Sequence, residues 1–148
     1  MLEVKNLHKI YNNGNKAIHV LKGIDLSIEK GAFVAIVGPS GAGKSTLLHI
    51  LGGLDTPTQG EVIFGEEHIY NLDDIVLSKI RNKRIGFVFQ FYHLLSEFTV
   101  LENVLMPALI SCQLSVVSCQ LRKNALELLQ KVGLSERIAH FPNQLSGG

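Results

Sequence analysis

The run Gly38-Pro39-Ser40-Gly41-Ala42-Gly43-Lys44-Ser45-Thr46 constrains this 148-residue chain more than any other stretch. Before it lies an unbroken apolar run, Ala32-Phe33-Val34-Ala35-Ile36-Val37, bounded by Gly31 and Gly38. After it, Leu47, Leu48, Ile50 and Leu51 share one helical face until Gly52-Gly53 stops the pattern. A continuous apolar run of this length reads as a parallel strand covered on both faces. A glycine pair after a short amphipathic run reads as a helix C-terminus. The expected unit is therefore strand, tight glycine turn, helix.

That unit fits the pattern G-x-x-x-x-G-K-[ST], and each residue type has a chemical reason. Glycines let successive backbone N–H groups turn inward and approach an anion closely. The helix directs the positive end of its dipole and its unpaired N–H groups at the same point. Lys44 can then reach the β- and γ-phosphates of a nucleoside triphosphate, and the Ser45 hydroxyl can ligate Mg²⁺. A mere glycine-rich turn carrying a solvated lysine would not need a strand and a helix on its two sides.

Length and charge narrow the class. The chain is long enough for one domain with its own core. A net charge of +1, with both signs scattered, gives no footprint for nucleic acid. Glu3, Lys5, Lys9 and Lys16 interrupt any N-terminal leader pattern. Val104–Leu121 has eighteen residues without a formal charge, yet Pro107, Ser111, Gln113, Ser115, Ser118 and Gln120 make it a poor lipid-spanning helix. The expectation is a soluble segment that docks on an apolar partner. Its two cysteines, Cys112 and Cys119, would lie about 10 Å apart along one side of a helix, too far for a disulfide. No metal spacing surrounds them, so they read as thiols in a reducing compartment.

Along the chain, Leu2–Val4 and Leu7–Tyr11 read as short β segments, followed by the turn-forming Asn12-Asn13-Gly14-Asn15. Ile24, Leu26 and Ile28 alternate with polar neighbours, as in a half-exposed antiparallel strand. Asp55–Gly60 is a turn, and Glu61–Phe64 a strand closed by Gly65. Asp73 and Asp74 open a helix that ends near Arg81, Lys83 and Arg84. Ile85–Phe89 again reads as strand and runs into Gln90. Thr99–Glu102 fits a capping box, opening a helix that Pro107 should kink or end. Val117, Leu121, Ala125, Leu128 and Val132 mark the buried face of a second helix, closed by Gly133.

Taken in order, Tyr11, the phosphate loop, Gln90 at a strand end and the terminal Leu145-Ser146-Gly147-Gly148 resemble the nucleotide-binding domain of ABC transporters over the whole chain. Leu54-Asp55-Thr56-Pro57, Gly86-Phe87-Val88-Phe89-Gln90-Phe91-Tyr92-His93-Leu94-Leu95 and Glu102-Asn103-Val104 are similar to the subgroup that drives lipoprotein release and macrolide-type export. A cell-division relative shares part of that signature. The resemblance implies an α/β fold: a P-loop NTPase core with an N-terminal antiparallel β subdomain over residues 1–90, and a helical subdomain over residues 91–148. It implies ATP and Mg²⁺ as cofactors. Tyr11 would stack on adenine; Gly38, Pro39, Ser40, Gly41, Ala42, Gly43, Lys44, Ser45 and Thr46 would hold the phosphates. Ser45 and Gln90 would complete the Mg²⁺ shell, with Lys44 and Gln90 the residues nearest the chemistry. Ser146 and Gly148 would contact the γ-phosphate held by a second copy, so that two subunits close head-to-tail. The helical subdomain would touch a transmembrane permease subunit, placing the protein peripherally on the cytoplasmic face of the inner membrane.

The chain stops at Gly148, before the family's magnesium-anchoring aspartate, catalytic glutamate and switch histidine. Its own six histidines (His8, His19, His49, His68, His93 and His140) do not stand in for the last of these. The expectation is a truncated product, either a shortened polypeptide or that of an interrupted gene, with part of the parallel sheet missing and Phe33–Val37 left as an unpaired apolar edge. Three functions are open on this reading. The chain can be the ATPase subunit of an exporter, most simply one for lipoprotein release, with the macrolide-type and cell-division systems as variants. It can be a nucleotide-binding fragment without turnover. The third, a soluble P-loop kinase or GTPase, is disfavoured by Gln90 and the L-S-G-G terminus.

Overall fold

A computed structural model of the protein describes residues 1–14, 16–111 and 119–145. Two compact units make up the chain, Met1–Gly86 and Phe87–Gly148.

The first unit is built around a long hairpin. Strand β1 (Leu2–Asn13) pairs antiparallel with β2 (Lys16–Ile28), and its other edge takes β3 (Gln59–Phe64), which in turn pairs with the two-residue β4 (Glu67–His68). The sheet order is β2-β1-β3-β4. Val4 thus stands opposite both Leu26 and Val62, and the apolar residues of three strands converge on one face. Helices α1 (Lys44–Leu51) and α2 (Asp74–Arg84) contribute Leu47, Ile50 and Leu77 to the same core, beside Val4, Leu7, Leu21, Val62 and Ile69. Each such side chain, fully buried, is worth about 1.5–3 kcal/mol. The interruption expected after Val4 survives only as a shift of register; β1 runs straight through it.

Two expected strands do not form. Residues 32–39 and 85–89 have no strand assignment, and no other segment pairs with them among the described residues. Phe33 is 98% exposed and Val37 88%, while Val88 is fully exposed. Their residue types suit a buried parallel strand, but such a strand needs a neighbour joined through a distant crossover and covering layers on both faces. Among the described residues, strand pairing is confined to β1–β4.

The second unit rests on α3 (Val100–Ser111) and α4 (Cys119–Lys131). The capping box is present: the Thr99 backbone N–H donates to Glu102 Oε2 at 2.8 Å, and the Glu102 N–H donates back to Thr99 Oγ1 at 3.4 Å. Pro107 lies inside α3, which continues to Ser111 and does not end there. Val100 and Leu101 pack on Ala125 and Leu129, with Leu105, Leu126, Leu134, Ile138 and Leu145 around them. The buried face of α4 is therefore rotated from the expected one: Leu128 and Val132 are exposed, and Leu129 is buried. Both rows are apolar, and only the partner helix decides between them. Val117 and Cys112 lie outside the described residues. No described helix is long and apolar enough to cross a membrane.

Candidate functional site

The loop from Gly38 to Thr46 reaches the first turn of α1 through glycines whose conformations other residues resist. Gly43 precedes α1 at φ +88°, and a Cβ there would lie 2.9 Å from Val20 Cγ1 and 3.1 Å from Leu21 Cδ2. Only a glycine lets the loop pass this close to β2. Gly41 also has a left-handed φ, of +79°. Ala42 N–H donates to the Pro39 carbonyl at 3.3 Å, and Leu47 N–H to that of Gly43 at 2.9 Å. No side chain caps the start of α1, and its first turn holds no acidic residue. Its N-terminal dipole is thus left to an outside anion.

Lys44 closes the loop upon itself. Its ammonium donates to the carbonyls of Gly38 at 2.9 Å and Pro39 at 2.7 Å. The cation therefore lies across the glycine turn. Ser45 is exposed one position further along. An anion with several oxygens fits this donor set: glycine-lined backbone, one lysine ammonium, one helix N-terminus and one hydroxyl.

Tyr11 belongs to the same unit, and three residues hold it. Its hydroxyl donates to Asp55 Oδ2 at 2.6 Å, and the Thr46 side chain is also hydrogen-bonded to it. Asp55 Oδ1 accepts from the buried Lys9 ammonium at 2.6 Å, and the same ammonium donates to the Thr56 carbonyl at 2.6 Å. It lies 4.8 Å from the centroid of the Tyr11 ring. Behind them, the Tyr70 hydroxyl donates to the carbonyl of Asp55 at 2.7 Å and to that of Ile50. Burial pushes the Asp55 carboxyl up, but hydrogen bonds from Lys9 and Tyr11 and the Lys9 charge together hold it below its ordinary value. Burial first, and then the bond to Asp55, pushes the Tyr11 phenol up, so it keeps the proton it donates. Tyr11 is therefore fixed at its hydroxyl end while its ring remains part exposed.

Sequence reasoning missed Lys9, Asp55 and Tyr70 as supports. A signal existed for the first, because Lys9 and Tyr11 share one face of β1 by the period of two. Asp55 read as a turn residue and as part of the subgroup resemblance, without a role, since nothing local shows that the end of α1 returns to the sheet. Gln90 is exposed in the second unit, three residues from His93, whose ring meets Phe89 edge-on at 4.9 Å. Asn103 clasps the turn before α3: its side-chain amide donates to the carbonyls of Leu95, Phe98 and Thr99, and its Oδ1 accepts from Leu95 N–H at 2.9 Å. Ser146 and Gly148 lie outside the described residues.

A glycine turn closed by a lysine at the head of a helix defines the class of P-loop proteins. Residues 21–148 match the family model described as ABC transporter, and the chain belongs to that family. Over all 148 residues it is 53% identical to the lipoprotein-releasing system ATP-binding protein LolD of Geobacter metallireducens and 47% identical to that of Psychrobacter arcticus. It covers 64% and 65% of those relatives, so the chain spans just under two thirds of their length. A dimeric, post-hydrolysis structure of the ATP-binding cassette MJ0796, bound to ADP and Pi, superposes with a TM-score of 0.86 at 47% identity. That match covers 99% of this chain and 64% of the other. The expected α/β nucleotide-binding fold, short of its full length, is thereby established.

Proposed function

We propose that this chain carries the ATP-binding site of an ABC transporter subunit that works in lipoprotein release. The observation that carries the reading is the glycine turn with Lys44 folded across it. In this reading ATP takes the place of the Gly38 and Pro39 carbonyls as partner of the Lys44 ammonium. Backbone N–H groups of Gly41 to Thr46 hold the phosphates, and the Ser45 hydroxyl holds Mg²⁺. Bound Mg²⁺ would neutralise charge on the β- and γ-phosphates. Tyr11 offers its ring to adenine, with its tilt set by Asp55 and its far side supported by Lys9.

Similarity to proteins named for lipoprotein release supports that cargo over macrolide-type export or a cell-division role. A second copy, contributing Ser146 and Gly148 head-to-tail, and a transmembrane permease met by the helical unit on the cytoplasmic face complete the working assembly. Hydrolysis needs a general base, which we place in the third of the relatives' length that this chain does not span.

The exposure of Phe33, Val37 and Val88 favours a second reading, in which this chain binds nucleotide without turning it over. Calorimetry with Mg·ATP tests the shared premise. Lys44→Ala is expected to weaken ATP at least about a hundredfold, or about 2.7 kcal/mol, with the fold intact because, among the described residues, the Lys44 ammonium bonds only carbonyls of its own loop. Equal affinity in the variant would overturn both readings. ATP turnover by the purified chain would remove the second alone.

A further inference from the structure

A pair of histidines on the β1–β2 hairpin has no part in the nucleotide reading, yet three departures from regular hairpin geometry converge on it. His8 Nδ1 and His19 Nε2 are 3.0 Å apart, with ring centroids 5.2 Å apart and planes inclined by 32°. His8 Nε2 lies 3.0 Å from Asn6 Oδ1.

The first departure is a shift of register. Lys9 pairs with Leu21 but Ile10 pairs with His19, so Val20 is bulged between them. Had the pairing of Lys9 with Leu21 continued, His19 would stand opposite Tyr11 and point to the face away from His8. With the bulge it stands opposite Ile10, on the face His8 shares. The second is Asn6, a non-glycine residue at φ +46° beside another shift, whose N–H is tied to Asp25 Oδ1 at 2.8 Å. The third is Gly23, at φ +73°: a Cβ there would lie 3.2 Å from Asn6 Oδ1 and 3.4 Å from His8 Nε2. A left-handed non-glycine residue is a local cost that points to a function when its surroundings enforce it.

The chemistry follows from the tautomers. Asn6 Oδ1 can only accept, so it holds the His8 proton on Nε2 and leaves the Nδ1 lone pair aimed at His19. When His19 carries its proton on its other nitrogen, two lone pairs converge. An ion bound to both at 2.0–2.1 Å requires nitrogens about 2.9 Å apart in a square-planar site and about 3.3 Å in a tetrahedral one, and 3.0 Å lies between. Imidazole nitrogens select copper, nickel and zinc over magnesium and calcium. No cluster of three or more ligating side chains is found among the described residues, so water completes the shell.

We propose that His8 Nδ1 and His19 Nε2 chelate one divalent transition-metal ion of this imidazole-preferring kind, with Asn6 orienting His8 from behind. The test titrates Cu²⁺ and, separately, Zn²⁺ into the purified chain. Expected are one Cu²⁺ per chain and an electron paramagnetic resonance spectrum split by two imidazole nitrogens. His19→Gln, at an exposed position, should weaken the ion at least about tenfold, and Asn6→Ala by about tenfold, as loss of an outer-shell partner does. A variant with His49, His68, His93 and His140 all changed to Gln should bind as the parent does. Zn²⁺ should also slow amide exchange across β1 and β2 in the parent but not in His19→Gln, because an ion bound only to the folded hairpin stabilises it. Unchanged affinity in His19→Gln, a spectrum with one nitrogen, or loss of binding in the fourfold variant would overturn the proposal. So would no binding at about 1 mM metal.

Discussion

Val62 and Phe33 are both apolar residues in runs that read as strand, and they end at opposite extremes. Val62 is 1% exposed and Phe33 is 98% exposed. Val62 sits in β3, whose partner β1 already forms half of a hairpin with β2, so the antiparallel sheet is assembled from segments within the first unit. Phe33 belongs to a run suited to a parallel sheet, whose partners must arrive through long crossovers. The antiparallel part of an ABC nucleotide-binding fold therefore forms a core from this chain's residues, whereas the phosphate-loop run does not become a strand. Residue type alone does not separate the two. Availability of a partner does.

The sharpest way to break this contrast is to supply partners. Adding, as a separate polypeptide, the C-terminal third of a lipoprotein-releasing relative should slow amide exchange over residues 32–37 and 85–89 at least about a hundredfold. Exchange within β1 and β3 should change far less. If the two groups respond equally, the first unit is not independent of the added strands, and the contrast is wrong.

At Gly43 the loop leans on the finished sheet. Gly43→Ala forces a Cβ against Val20 and a left-handed φ on alanine. Together these should cost about 3 kcal/mol, seen as a lower urea midpoint, with loss of ATP binding. Gly41→Ala, whose Cβ would meet nothing within 4 Å, bears only the backbone cost of about 1–2 kcal/mol. Equal losses at the two positions would mean that the loop does not rest on β2.

The second unit allows a cleaner pair. Leu128 and Leu129 are adjacent leucines in α4, one exposed and one buried. Leu129→Ala should destabilise the α3–α4 packing by about 2–4 kcal/mol, and Leu128→Ala should stay within about 0.5 kcal/mol. Thermal melts read both. A reversed order would restore the helical face expected from the sequence.

These comparisons show what the residues alone could reveal. The loop from Gly38 to Thr46, α1, the hairpin, β3, α2 and the Thr99–Glu102 cap were legible because each is signalled by neighbours a few residues apart. Ala32–Val37 and Ile85–Phe89 misled because an apolar run records a preference for burial, not the presence of something to be buried against. Leu128 misled for a related reason: α4 offers two apolar rows, and α3 selects one. The supports of Tyr11 were hidden in the same way, since Lys9 and Asp55 are 46 residues apart in sequence and meet only when the end of α1 folds back on the sheet.

The smallest expected effect isolates that hidden support. Asp55 joins two residues of β1 to the turn after α1, through Lys9 on one oxygen and Tyr11 on the other. Its carboxyl is held below the ordinary carboxylate value, so its ionised form is favoured by folding. Such a group contributes stability that is fully present above the unfolded pKa of about 3.9 and is lost as pH falls through the lower, folded value. Asp55→Asn should therefore lower stability by about 1 kcal/mol near neutrality. Below about pH 4 the loss should shrink as the parent's own carboxyl takes up its proton. Urea midpoints measured at several pH values would show two curves converging toward acid. Parallel curves would mean that the Lys9–Asp55–Tyr11 chain is only a surface contact, and that the Tyr11 ring is held by packing alone.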